Sequence, residues 1–264
     1  MKEVAIIGGG ILGLAIGYQM SILKLNYRVS VFEKENSIGK HQSGNNSGVL
    51  HCGLYYKPGS LKAKLAVNGI GEMISFCESN KINYDVCGKV VVACDEEEVT
   101  HLENLANRGI KNGLKGLKFL TKTQLKNREP HVKAEKSLLV PGEGIVDYKE
   151  VMNVFLEFIL DSGGSISLNN KVLGLNKSIL KTEKFEKEFD LIINCSGLFT
   201  DRIYKSLTNK ISPIKIVPFR GEYKRILDSY SDIVNHLVYP VPNPRFPFLG
   251  VHFTRLIDES REVG

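Results

Sequence analysis

The sequence predicts an α/β protein: one domain on a parallel sheet, joined to an α+β domain with an antiparallel sheet. Three observations carry this. The apolar run Val4-Ala5-Ile6-Ile7 leads into a glycine cluster, a helical stretch and a second apolar strand. Strand-like and helix-like patterns then alternate along the middle of the chain. Residues 210–264 are instead rich in β-branched, aromatic and proline residues, which read as antiparallel strands.

The first element is wholly apolar, as a parallel strand buried on both faces should be. It runs into Gly8-Gly9-Gly10-Ile11-Leu12-Gly13, a G-x-G-x-x-G pattern. Gly8 permits the tight strand-to-helix turn, Gly10 lets a pyrophosphate approach the backbone, and Gly13 lets the helix pack close to the strand. Leu14, Ala15, Tyr18, Gln19 and Met20 continue as a helix whose N-terminal amides suit an anion. Tyr27 to Phe32 forms the second strand and ends at Glu33, placed to accept hydrogen bonds from ribose hydroxyls. The ordered set points to the ADP half of a dinucleotide, and Glu33 disfavours one carrying a 2′-phosphate.

Further along, residues 61–80 carry helix-like apolar spacing and Lys89 to Cys94 reads as a strand. A helix follows with Val99, Leu102, Leu105 and Ala106, and another near Lys122–Asn127 stops before Glu129-Pro130. Ser137–Val140 and Gly144–Val146 suggest an extended pair turning at Pro141-Gly142. Glu150 to Leu160 is amphipathic and closes at Gly163-Gly164. Ile166–Leu168, Val172–Leu175 and Phe189–Cys195 read as strands.

Composition narrows the function classes. The chain has 264 residues, 42% hydrophobic and 24% charged, with a net charge of +6. The lysines are scattered, so the basic face that nucleic-acid binding requires is not evident, although a mild excess suits an anionic substrate. Five cysteines without a C-x-x-C pair argue against a disulfide framework and a structural zinc site, and fit a reducing compartment. The N-terminus carries neither a signal-peptide pattern nor an unbroken apolar span, so a cytoplasmic location is expected, with peripheral contact at the inner membrane left open. Neither a metal-ligand cluster nor G-x-S-x-G occurs, so metal and serine-hydrolase chemistry are not expected.

The loop His41-Gln42-Ser43-Gly44-Asn45-Asn46-Ser47-Gly48 is made of small hydroxyl, amide and glycine residues that can line an extended pyrophosphate and ribityl chain. Together with the glycine turn and the run Ser47 to Ser60 containing Val49-Leu50-His51-Cys52-Gly53, it resembles the D-amino-acid-oxidase-like FAD superfamily. Within that superfamily the chain is most similar to the L-2-hydroxyglutarate dehydrogenases and oxidases. The resemblance continues through Cys87-Gly88-Lys89, Gly144-Ile145-Val146-Asp147-Tyr148 and Asn194-Cys195-Ser196-Gly197. It is strongest in Pro218-Phe219-Arg220-Gly221-Glu222-Tyr223 and in Tyr239 to Arg255.

The resemblance implies a Rossmann-like FAD-binding domain made of residues 1–84 and 144–207, and a substrate domain made of 85–143 and 208–264, the last incomplete. Family members continue past the position of Gly264, so a C-terminally truncated fragment is expected. FAD contacts are implied at the fingerprint residues, including Ile11 and Leu12, at Glu33 and Lys34, at Gln42, Ser43, Asn46 and Ser47, and at Val172, Ser196 and Gly197. The implied reaction oxidises an L-2-hydroxy dicarboxylate, L-2-hydroxyglutarate first, to a 2-oxo acid, with oxygen or a quinone as electron acceptor. Arginine suits a carboxylate anchor, and Arg220, Arg245 and Arg255 lie in these motifs, Arg255 being the first candidate and Arg220 the second. His51 and His252 are the candidate bases, whereas His101, His131 and His236 are expected to be solvated. Two alternatives stay open: oxidation of an amino acid or glycerol 3-phosphate by a sibling of the superfamily, and an inactive flavoprotein fragment.

Overall fold

The computed structural model of the chain describes residues 1–23, 26–243, 245 and 250–264. Pro244 and Phe246–Leu249, inside the Tyr239–Arg255 motif, lie outside the described residues. In chain order the elements begin with β1 (Lys2–Ile7), α1 (Ile11–Ile22), β2 (Tyr27–Phe32), β3 (Val49–Leu50), α2 (Leu61–Asn80) and β4 (Tyr84–Asp85). Next come β5 (Lys89–Ala93), α3 (Glu96–Lys111), β6 (Lys118–Leu120), α4 (Lys122–Arg128), β7 (Lys136–Val140) and β8 (Gly144–Val146). After α5 (Tyr148–Asp161) run β9 (Ser165–Ser167), β10 (Val172–Asn176), β11 (Ile179–Thr182), β12 (Glu186–Glu188), β13 (Leu191–Asn194) and α6 (Thr200–Thr208). The last elements are β14 (Lys224–Arg225), β15 (Leu237–Pro240), β16 (Phe253–Arg255) and β17 (Arg261–Val263).

The chain divides into two compact units, 1–46 with 148–220 and 47–147 with 221–264. In the first, a four-stranded parallel sheet has the order β13-β1-β2-β9. β1 is central, and Val4 to Ile7 are buried on both faces. Its side chains alternate in direction. Ile6 meets α1 at Gly13 and Gly17, while Ala5 and Ile7 pack with Val172, Leu180 and Phe189. α5 lies against α1 because Gly17 leaves room for Ile159, and Tyr18 stacks on Phe155 with ring centroids 4.9 Å apart. The meander β10-β11-β12 was not read from the sequence beyond its first strand.

In the second unit a seven-stranded sheet runs β14-β17-β16-β15-β5-β7-β6, antiparallel except where β15 pairs with β5. The expected antiparallel sheet is therefore mixed at its centre, and among residues 210–223 the expected strands do not form. β5 is wholly buried, with Val91 and Ala93 in one apolar cluster and Val90 and Val92 in another. The pair expected across Pro141-Gly142 does not form either. β7 joins β5 and β6, while β8 lies between β3 and β4 in a separate three-stranded sheet. The units divide at 46, 147 and 220, against expected boundaries at 84, 143 and 207. By pairing with β8, β3 and β4 tie residues 47–84 to the second unit.

Among the described residues, no helix is long and apolar enough to cross a membrane.

Candidate functional site

The first unit holds a cavity of about 820 Å³ at the carboxyl ends of β1, β2 and β13. Its floor is the glycine turn. Gly8 has φ +112°, and a Cβ there would lie 2.4 Å from the Cys195 carbonyl oxygen. A Cβ on Gly13 would lie 2.1 Å from the Gly8 carbonyl oxygen, so only glycine lets helix and turn approach so closely. Gly10 is the N-cap of α1; it has no capping side chain, and the first turn of the helix holds no acid. No acid of the helix's own first turn therefore competes with a ligand anion at its positive end.

Glu33 closes the end of β2, nearly buried at 8% exposure. Its Oε2 accepts from the Gly9 amide at 2.8 Å and its Oε1 from the Glu35 amide at 2.9 Å. Each carboxylate oxygen can accept a further bond, which fits a pair of ribose hydroxyls. Ser43 Oγ accepts from the Ile11 amide at 3.0 Å, fastening the 39–43 loop over the glycine turn. Lys34 pairs with Glu35, and its ammonium sits 5.0 Å from the centre of the Phe199 ring. Arg202 lies against the same ring, 5.2 Å from its centre.

Of the expected cofactor residues, Gly8, Gly10, Ile11, Leu12, Glu33, Lys34, Gln42, Ser43, Val172, Ser196 and Gly197 all line this cavity. Gly13 sits beneath the turn and shapes it. Asn46 braces the loop, its amide donating to the carbonyls of Ser43 at 2.8 Å and Gln42 at 3.3 Å. Ser47 falls in the second unit, beside Tyr239. Ser196 Oγ donates to Asn194 Oδ1 at 2.5 Å, and Gly197, with φ +54°, turns the chain into α6.

The expected catalytic residues are dispersed more widely. His51 and His252 both lie in the second unit. His51 is half-exposed, with Nδ1 3.5 Å from Glu143 Oε2. His252 is buried, its Nδ1 lies 3.0 Å from the Gly250 carbonyl oxygen, and burial lowers its pKa. Its ring packs on Tyr239 with centroids 4.5 Å apart. Arg255 is committed to an ion pair with Asp85 and a second with Glu259 at 3.7 Å, so the expected free carboxylate anchor is already neutralised. Arg220 is exposed at the end of the first unit, and Arg245 is exposed and pairs with Glu97 at 2.9 Å. His236, expected to be solvated, instead faces the buried Glu129, with Nδ1 2.7 Å from Oε1.

The sequence reading missed one feature altogether. Lys89 and Glu143 are both fully buried, with Nζ 2.5 Å from Oε2. The Lys89 ammonium lies over Tyr55 and Tyr239, 4.4 and 4.9 Å from the ring centres. Cys52 Sγ donates to Glu143 Oε1 at 3.4 Å, and burial pushes its thiol up to about 12, out of reach of thiolate chemistry. The signal available was a lysine opening the apolar strand Val90-Val91-Val92. Among the described residues no group of His, Cys, Asp and Glu could hold a metal.

A parallel sheet whose first strand ends in a glycine turn, beneath a helix with glycine at its N-cap and beside a strand-terminal acid, defines a dinucleotide-binding fold. The FAD dependent oxidoreductase family matches residues 3–262, and the chain belongs to that family, whose cofactor is FAD. It is 45% identical to L-2-hydroxyglutarate dehydrogenase of Indibacter alkaliphilus, covering 99% of this chain and 67% of that one. The Escherichia coli K12 protein of the same name is 41% identical over 100% of this chain and 63% of its own length. The human mitochondrial one is 37% identical over 99% and 60%. The chain thus spans roughly two thirds of the length of these relatives, from 60% to 67%.

Among solved structures, L-alpha-glycerophosphate oxidase from Mycoplasma pneumoniae, with FAD bound, superposes with a TM-score of 0.82 at 24% identity. The match covers all of this chain and 70% of that one. Glycine oxidase from Bacillus cereus superposes with a TM-score of 0.81 at 19% identity, again over 100% of this chain and 70% of that one. At such identities the likeness is one of fold.

Proposed function

We propose that the chain is an FAD-dependent dehydrogenase or oxidase of L-2-hydroxy acids, converting L-2-hydroxyglutarate to 2-oxoglutarate. The observation that carries this is 45% identity over 99% of the chain to an L-2-hydroxyglutarate dehydrogenase. When bound, FAD supplies the acceptor for the hydride that leaves the carbinol carbon. The chain supplies binding, orientation and a base.

Glu33 holds the adenosine ribose, and the amides opening α1 face the pyrophosphate. Ser43 and Gln42 approach from the 39–43 loop, and the backbone at Val172 and Ser196-Gly197 lines the rest. Of the two histidines, His51 is the better base. It is half-exposed and faces a carboxylate through Nδ1, leaving Nε2 to take the hydroxyl proton. His252 is buried and bonded to a backbone carbonyl. Arg255, held by Asp85, would have to exchange that partner for a substrate carboxylate, and Arg220 is the second candidate anchor. The protein is read as cytoplasmic, with oxygen or a quinone receiving the electrons; a quinone would bring it to the inner-membrane surface.

Reduction of dichlorophenolindophenol by the FAD-loaded chain tests this. L-2-Hydroxyglutarate should outrun D-2-hydroxyglutarate, glycine, L-proline and glycerol 3-phosphate. A preference for an amine or a phosphate ester would overturn the assignment.

A further inference from the structure

The Lys89–Glu143 pair lies outside the dinucleotide cavity, and nothing in the cofactor reading uses it. Two buried charges are a poor stability device, since apolar residues of similar size usually serve as well or better. Their arrangement instead points at one side chain. Glu143 Oε1 is taken by Cys52, and Oε2 faces both Lys89 Nζ and His51 Nδ1. Around them stand Tyr55 and Tyr239, whose rings flank the ammonium, and His252, whose ring packs on Tyr239. Lys89 and Glu143 have fully buried side chains, whereas that of His51 is 41% exposed. The imidazole is where this buried network meets the surface of its unit.

We propose that Glu143 is the positioning residue for His51, holding its Nδ1–H so that Nε2 carries the lone pair, with Lys89 as the counter-ion of Glu143. A carboxylate behind an imidazole fixes both the tautomer and the ring orientation of a general base. A lone glutamate would also favour the imidazolium, which cannot accept a proton. Lys89 opposes that charge while leaving the hydrogen-bond acceptor in place. The arrangement explains why the lysine is buried and held by two aromatic faces rather than left to solvent. It rests on the reading of His51 as the proton acceptor in 2-hydroxy-acid oxidation.

The direct test needs no turnover. Long-range 1H–15N NMR of the imidazoles in the whole chain, with His51 assigned by His51→Gln, reads the tautomer of the neutral ring. His51 is expected as the Nδ1–H form. In the charge-neutral double variant Lys89→Met/Glu143→Leu, which leaves no buried charge unpaired, His51 should return to the Nε2–H form favoured in free histidine. An Nε2–H ring in the wild type, or the same tautomer in both proteins, overturns the proposal.

Kinetics of the FAD-loaded chain on L-2-hydroxyglutarate give the second readout. The double variant should lose roughly 10²-fold in kcat, the order that general-base catalysis supplies, with KM nearly unchanged. In Lys89→Met the ascending limb of the pH–rate profile should move to higher pH, because Glu143 then stands uncompensated beside His51. A limb that stays in place counts against the counter-ion role. The expected tautomer in a chain that oxidises only amines would overturn the substrate reading while supporting the positioning role.

Discussion

The two compact units place their polar groups in opposite ways. In the first, the cavity is shaped by backbone features, the glycine turn, the N-terminus of α1 and the turn at Ser196-Gly197, with the nearly buried Glu33 among its lining residues. In the second, ionisable side chains are taken out of water, as in Lys89 with Glu143 and in the buried Glu129 facing His236. A backbone site tolerates change in most side chains but not at its glycines. A buried side-chain network tolerates neutral replacement of the whole set better than loss of a single member.

The sharpest break of this contrast is expected at Lys89. Lys89→Met leaves Glu143 buried without its partner and should destabilise the second unit by about 3–5 kcal/mol in urea unfolding, with Lys89→Met/Glu143→Leu recovering most of it. Acid unfolding checks the same pair. Burial alone would raise the Glu143 carboxyl, but Lys89 and His51 outweigh it and hold it at about 2. Because that value is depressed, the pair's contribution is present above the ordinary carboxylate value of about 4.3 and is lost as pH falls from there toward 2. The double variant should lack this acid-sensitive component.

In the first unit the corresponding break is Gly8→Ala. The positive φ and the approach to the Cys195 carbonyl should together remove roughly 3 kcal/mol of stability, seen as a lowered Tm, and should weaken FAD binding. Glu33→Gln keeps the shape and loses the charge. FAD affinity should fall about 10- to 100-fold by fluorescence titration, the scale of a hydrogen bond to a charged group. The smallest effect is expected at Arg245→Ala, where an exposed pair with Glu97 contributes about 0–1 kcal/mol and Tm should barely move.

The same contrast decides what could be read from the sequence. β1, α1, β2 and Glu33 were legible because the turn between them forces glycine at fixed spacing, and the cavity forms around those residues. α2 and α5 followed from apolar periodicity alone. The hairpin expected at Pro141-Gly142 failed because β7 and β8 found distant partners, β5 and β3, that no local pattern announces. Arg255 carried the right chemistry for an anchor, yet Asp85, far away in sequence, takes it up. Lys89, Glu143 and His51 come from three separate segments, and only the paired sheets bring them together. Periodicity reports burial, but it does not say that a lysine at the head of a buried strand will find a glutamate there.

The most direct test of the division of labour is anaerobic addition of L-2-hydroxyglutarate to FAD-loaded wild-type and His51→Ala chains, followed at the flavin absorbance. The wild type should bleach. His51→Ala should keep its bound FAD and its colour and bleach at least roughly 10²-fold more slowly, the scale of a lost general base. Bleaching at the wild-type rate in His51→Ala, or loss of FAD on that substitution, would contradict the assignment of His51 as a base that takes no part in holding the cofactor.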